Sequence, residues 1–329
     1  MSKRPPLPVV ALEACGRVLR RPECVLATLD GDVYVPEWPA AAGARAGVTV
    51  VRRDGSQQTW SASADFDLRP NGIALTPQGD FLIANLGDDG GIWRMAIDGT
   101  VTALLTEIDG VPLPPANFVT IDAQGRVWMS FSTRHRPRQQ AWRHHVADGF
   151  VAVLDHRGAR IVADGLHYTN EVRPDPSGRW LYVVETFGRR VRRFKTGSDA
   201  GLSAPETVVT MGHGCFPDGF AFDEEGGVWI TSLISNRLMR FHDDRLETML
   251  EDVNVAFVER AEQAFAAGEL AAEHLGPIPD TRLQQLTSLA FGGADRRTVY
   301  LGSLHSQCVY RFRSDVAGAA MAYWLFPAP

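Results

Sequence analysis

Apolar and polar residues alternate in short runs along most of the chain, and the runs recur. Six stretches line up: "PECVLATLDGDVYV", "PNGIALTPQGDFLI", "ANFVTIDAQGRVWM", "TNEVRPDPSGRWLYV", "PDGFAFDEEGGVWI" and "TSLAFGGADRRTVYL". Each reads as two period-two strands joined by a turn rich in Asp, Pro and Gly. A third run follows in most copies, as in "GIWRMAIDG", "RRVRRFKT" and "NRLMRFHDD". In the first five copies a polar residue precedes a turn glycine by eight positions: Glu23 to Gly31, Asn71 to Gly79, Asn117 to Gly125, Asn170 to Gly178 and Asp218 to Gly226. Ser288 holds that phase in the sixth, ahead of a longer turn. Short strands repeating every 40 to 50 residues or so predict propeller blades. The expectation is an all-β fold: one six-bladed β-propeller domain over residues 1–329, with four-stranded blades.

The polar positions lie 48, 46, 53, 48 and 70 residues apart, so two spacings are lengthened by insertions. One is the basic segment 132–149, "STRHRPRQQAWRHHVADG". The other spans about 250–284, and its Ala- and Glu-rich "VERAEQAFAAGELAAEHLG" predicts helix. The N-terminal "VVALEACGRVL" and the C-terminal "AMAYWLF" are expected to supply strands that complete the ring.

The innermost strand of a blade lines the central channel, so residues at one phase of six such strands converge at one mouth. Here they are Glu23, Asn71, Asn117, Asn170, Asp218 and Ser288. Carboxylate and amide oxygens are the hard ligands that calcium or magnesium prefers. Two carboxylates held close would repel without a cation between them. Strand direction then puts the loops between second and third strands, and those between blades, on the same face. Both insertions, "NLGDDGG", "ETFGRR" and "SLHSQC" around His305 are expected to overhang the site as lids or specificity elements.

Composition narrows the partners. Net charge is −6, with 45% hydrophobic and 22% charged residues, which argues against nucleic acid. No apolar run approaches the ~20 residues of a membrane span. The start, "MSKRPPLPVVALEACGRVL", lacks a signal-like apolar core, so a cytoplasmic location is expected. Cys15, Cys24, Cys215 and Cys308 show no CxxC spacing and are read as free thiols.

With "RPNGIAL", "ANFVTIDAQGR", "YTNEV", "FPDGFAFDEEGGVW" and "LTSLAFGG" in place, the chain resembles the gluconolactonase family of six-bladed propellers that includes senescence marker protein (regucalcin), with diisopropylfluorophosphatase-like enzymes among its relatives. The resemblance runs from about Arg21 to Phe312. It implies one divalent metal ion, calcium foremost and Mg²⁺, Mn²⁺ or Zn²⁺ as alternatives, held by Glu23, Asn170 and Asp218. It also implies that Asn117 contacts substrate or metal-bound water. Glu37 in "VYVPEW" competes with Glu23, because "PECV" departs from the family's usual Glu-Gly-Pro. Pro115 and Phe118 stand where sugar-lactonases have an Arg and an Asp, which suggests a substrate less polar than an aldonolactone; separately, Glu171 stands where a Gly usually follows the fourth-blade Asn.

The expected function is therefore a metal-dependent lactonase, in which water attacks a polarised ring carbonyl. Asp218 would act as general base and Asn117 would orient substrate or water. Asn71, Asn117, Phe118, Glu171, Arg134, Ser288 and His305 are the substrate-binding candidates; His135, His167 and His213 are secondary candidates for proton transfer. The partner is a small molecule, and the chain is expected to be a monomer or homodimer. Ester or organophosphate hydrolysis, or a condensation, on the same metal propeller is the alternative. A non-catalytic binding propeller is the third reading. If the basic loop closes on substrate, a carboxylate paired with Arg134 or Arg138 is the natural guess.

Overall fold

A computed structural model describes residues 5–41, 43–326 and 329. Six four-stranded antiparallel sheets follow one another along the chain, each wound from its first strand outward. The first strands are Leu26–Ala27, Pro70–Leu75, Phe118–Ile121, Thr169–Pro174, Pro217–Phe222 and Leu286–Gly292. First strands of successive blades pack on each other around the ring, as expected of channel-lining strands. The turn glycines Gly31, Gly79, Gly125, Gly178 and Gly226 all have positive φ, between 68° and 87°, where a side chain would be strained. The repeat in the sequence is thus a repeated hairpin.

Beneath two of these turns an aspartate ties the blade together. Trp128 Nε1 donates to Asp122 Oδ2 and Trp229 Nε1 to Asp223 Oδ2, each at 2.8 Å, and each indole is fully buried between sheets. Every such aromatic must bring its N–H to an acceptor once buried.

The ring closes at the N-terminus. Glu13–Cys15 pairs antiparallel with Val309–Arg313 as the outer strand of blade six, Glu13 opposite Arg311 and Cys15 opposite Val309. The C-terminal segment, expected as a second closing strand, is instead the 3₁₀ turn Ala322–Leu325. With the last strand position of blade six already filled, it has no edge to pair with. Tyr323 and Phe326 pack against the core, and Trp324 Nε1 donates to Ala27 O at 2.9 Å.

Both insertions fold over one face. The first carries a 3₁₀ turn, Arg138–Ala141; the second carries helix α1, Val255–Ala267. Asn254 caps α1 by accepting from Phe257 N–H at 2.9 Å, and Gly268 ends it at φ 72°. Its apolar side, Phe257, Val258, Ala261 and Phe265, joins Trp142 of the first insertion and Tyr168, Phe187, Phe216, Leu233 and Ile234 of the blades in one cluster. Arg143 Nη1 stitches the insertions together, donating to Trp142 O at 2.8 Å and Leu270 O at 3.0 Å. Among the described residues no helix is long and apolar enough to cross a membrane.

Candidate functional site

The first strands start at the mouth that the insertions cover, and there a pocket of about 280 Å³ opens. That is just below the range of about 300–1,000 Å³ usual for small-molecule sites. Its floor holds Glu23, Asn117, Asn170 and Asp218, brought from four blades. Its walls and roof are Tyr168, Thr186, Phe187, Phe216, Leu233, Ile234, Leu304 and His305 from blade loops, with Arg138 and Trp142 from one insertion and Ala272, Leu275 and Gly276 from the other. The loops between second and third strands of blades three to six do face the site. Asn85 of "NLGDDGG" does not line it; its Oδ1 accepts from Arg69 N–H and Gly87 N–H.

Each floor residue is held by its strand. Asn117 N–H donates to Ser130 O (2.9 Å), and its carbonyl accepts from Gly72 N–H (3.0 Å) and Asn71 Nδ2 (2.9 Å). Its Oδ1 is buried with no hydrogen-bond partner. Asn170 Nδ2 donates to Thr186 Oγ1 at 3.0 Å. Gly219 follows Asp218 because a Cβ there would lie 2.6 Å from Thr287 O and 2.8 Å from Glu171 Oε1. The close contact of blades five and six requires that glycine.

Arg21 also reaches the pocket. Its Nε and Nη2 both meet Glu23 Oε2, at 2.8 and 2.6 Å, and its guanidinium lies 4.1 Å from the Trp38 ring centre. Arg21 thus engages one of the two Glu23 carboxylate oxygens. Asp218 is 6% exposed and, among the described residues, no guanidinium or backbone N–H is bonded to it. Burial, then the Glu23 and Glu171 carboxylates, hold its pKa well above the usual range, while Arg21 and the Asn170 amide pull the other way.

The other anticipated site residues divide. Asn71, Phe118, Glu171 and Ser288 are buried in the blade-to-blade packing and do not line the pocket. Asn71 braces the Asn117 carbonyl. Glu171 Oε2 accepts from Arg173 Nε (2.9 Å) and Phe220 N–H (3.2 Å), and Ser288 Oγ accepts from Val25 N–H (3.3 Å). Phe118 lies under the Arg173 guanidinium, 4.7 Å from ring centre to Cζ. Arg134 is outside the pocket altogether. It forks onto Asp164 with two 2.8 Å contacts and lines a separate cavity with Ile108 and Val111. Acceptors on its own blade draw it outward, so it does not overhang the floor.

Glu37, the alternative first-blade carboxylate, pairs with Arg20 at 2.6 Å away from the pocket. His305 does line it, and its Nε2 donates to Leu275 O at 2.7 Å, fastening the second insertion. His135, His167 and His213 do not line it. Burial pushes the Cys24 thiol up to about 12, which leaves no thiolate nucleophile beside Glu23. Sequence reasoning missed Arg21 and the aromatic roof. A signal was present: Arg21, Tyr168 and Phe216 each stand two residues before a polar-phase residue, and Phe187 is the lone aromatic of "ETFGRR".

Among the described residues no group of three or more His, Cys, Asp or Glu side chains comes together as a metal cluster. The Glu23–Asp218 pair becomes a ligand set only with amide oxygens. That set is all oxygen, Arg21 engages only Oε2 of Glu23, and among the described residues no cation is bonded to Asp218, so it suits a hard divalent ion. Such an ion fits these residues.

Comparison with known proteins agrees with this architecture. The chain belongs to the SMP-30/gluconolactonase/LRE-like family, whose profile matches residues 44–272. It is 25% identical over 284 residues to a 6-deoxy-6-sulfogluconolactonase of Pseudomonas putida, spanning 82% of this chain and 83% of that one. Its fold is similar to that of a gluconolactonase of Xanthomonas campestris, with TM-score 0.59, 18% identity, and 94% and 98% of the two chains covered. It is likewise similar to a calcium-binding regucalcin of Agrobacterium tumefaciens, with TM-score 0.64, 15% identity, and 94% and 96% covered.

Proposed function

We propose that this member of the SMP-30/gluconolactonase/LRE-like family is a metal-dependent lactonase that hydrolyses a small lactone in the pocket beneath the two insertions. The observation that carries the reading is Asp218, a buried carboxylate with no bonded cation, in one pocket with Glu23, Asn170 and the unpartnered Asn117 Oδ1. The activity named for the Pseudomonas putida relative supports a lactone as the substrate class.

Glu23, Asn170 and Asp218 would hold the ion, most plainly calcium. When bound, the ion supplies Lewis acidity toward the lactone carbonyl and offsets the two carboxylate charges. Asp218 accepts the proton of the attacking water at a carboxylate oxygen as the water oxygen adds to the carbonyl carbon; general-base help of this kind is worth about 10²- to 10⁴-fold. The ring C–O bond then breaks and the proton passes to the departing alkoxide, which gives the hydroxy acid. Asn117 Oδ1 accepts from a substrate hydroxyl or from the water and fixes its direction. Trp142, Tyr168, Phe187 and Phe216 cover the ring and keep bulk water out.

The apolar roof also favours a second reading, ester or organophosphate hydrolysis on the same floor. One panel separates them: aliphatic, aryl and sugar lactones against phosphotriesters, with calcium and with chelator. Lactone opening that chelator abolishes is expected. Turnover of phosphotriesters alone would replace the proposal with the second reading.

A further inference from the structure

The lid side of the pocket carries one guanidinium that binds nothing among the described residues. Arg134 is held by Asp164, Arg136 by the carbonyls of Asp88 and Leu113, and Arg143 by those of Trp142 and Leu270. On the neighbouring blades Arg189 is held by Glu262 at 2.7 Å. Arg138 lines the pocket, half-buried, and among the described residues it has no hydrogen-bond acceptor, carboxylate or aromatic face. It is not on a loose strand of chain. It starts the 3₁₀ turn that ends at the buried Ala141, and Trp142, next along, is buried with Nε1 donating to Tyr168 OH at 2.9 Å.

Charge sharpens the point. Two carboxylates and two guanidiniums, Glu23 and Asp218 against Arg21 and Arg138, face this pocket. They balance. A divalent cation on the floor leaves the pocket positive, with Arg138 as the guanidinium that no protein group answers. Planar, permanently charged and able to bind in a fork, it matches a small oxyanion.

We propose that Arg138 recognises an anionic substituent on the substrate, a carboxylate, sulfonate or phosphate, so that the preferred lactones are acidic ones. The inference rests on this pocket being the substrate site.

The test uses a matched pair, 5-oxotetrahydrofuran-2-carboxylate and the corresponding 2-carboxamide, on the full chain with calcium. Their ratio of kcat/KM is measured for the wild type, Arg138→Gln, Arg138→Lys and the control Arg134→Gln. The ratio should favour the carboxylate in the wild type, fall at least about tenfold in Arg138→Gln, and recover partly in Arg138→Lys. Arg134→Gln should keep the wild-type ratio. Thermal melting of each variant shows that it is folded. An unchanged ratio in Arg138→Gln, or an equal fall in Arg134→Gln, overturns the assignment. Calorimetric affinity for the same pair gives the ratio without turnover. If neither lactone is opened but carboxylate binding still depends on Arg138, the anion subsite stands and the lactonase reading falls. If both lactones are opened alike by every variant, the reverse holds.

Discussion

Blade five carries two buried aspartates five residues apart, and they are electrostatic opposites. Asp223, just past the first strand, is 1% exposed and fully bonded. Its oxygens accept from Glu225 N–H (3.0 Å), Gly227 N–H (2.7 Å), Trp229 Nε1 (2.8 Å) and Arg240 Nε (2.6 Å). Burial raises its pKa, but Arg240, the indole and the Gly227 amide outweigh burial and the net shift is downward. Asp218, second in the same strand, has its pKa driven up by burial and by two neighbouring carboxylates. Burial alone therefore does not mark function. What marks it is a buried carboxylate to which, among the described residues, the fold bonds no cation.

The largest expected effect breaks the pair by chemistry. Asp218→Ala should lose bound calcium and about 10³-fold of lactone hydrolysis, since under the proposed mechanism it removes both a ligand and the general base. Asp223→Asn, measured per folded molecule, should keep both. Elemental analysis beside a kinetic assay reads the contrast. Full metal content in Asp218→Ala would erase it.

Next comes stability, where the order reverses. Asp223→Ala removes one of the two carboxylates that hold Arg240, whose side chain is 13% exposed, leaving it only Glu225, and takes away the acceptor of the Trp229 indole. Breaking a buried pair from one side costs about 3–5 kcal/mol. With chelator present, so that no ion contributes, denaturant unfolding should show a loss toward the lower end of that range for Asp223→Ala, because Glu225 still answers Arg240, and none for Asp218→Ala. A loss in Asp218→Ala as large as that in Asp223→Ala would mean that Asp218 is structural as well.

How much of this was legible follows from what a repeat encodes. Strand period and turn glycines recur because every blade solves one packing problem, so the six blades and their common mouth could be read directly. Glu23, Asn117, Asn170 and Asp218, all at the polar phase, line one pocket. Yet Asn71 and Ser288 share that phase and turn into the packing, because phase fixes where a backbone position lies and not which neighbour its side chain meets. Arg134 and Arg138, four residues apart in one basic loop, face different cavities because Asp164 captures only the first. The roof was the least legible part. Tyr168 and Phe216 stand two residues before Asn170 and Asp218, but Trp142 and Phe187 come from an insertion and a loop outside the repeat, and the four meet only in the tertiary fold, beside α1.

A third test adds calcium to chelated protein. At about one hundred times its dissociation constant, an ion that binds only the folded state adds about 2.7 kcal/mol. Wild type and Asp223→Asn should both gain it, and Asp218→Asn should gain nothing. An equal gain in Asp218→Asn would place the ion elsewhere.

The smallest effect is a pH dependence, and it isolates Asp223 when measured with chelator in an Asp218→Asn background. A carboxyl whose folded pKa lies below its unfolded value binds more protons unfolded than folded. The stability it contributes is therefore fully present above the ordinary carboxylate pKa of about 4 and drains away as pH falls through the lower, folded value. The stability gap between the Asp218→Asn protein and its Asp218→Asn/Asp223→Asn derivative should hold constant from pH 7 to about 5 and narrow below about 4. Only part of it should disappear, because a protonated Asp223 still accepts from the Trp229 indole and the Gly227 amide. A gap that widens on acidification would mean that Asp223 is held protonated in the fold, and the two aspartates would then not be opposites at all.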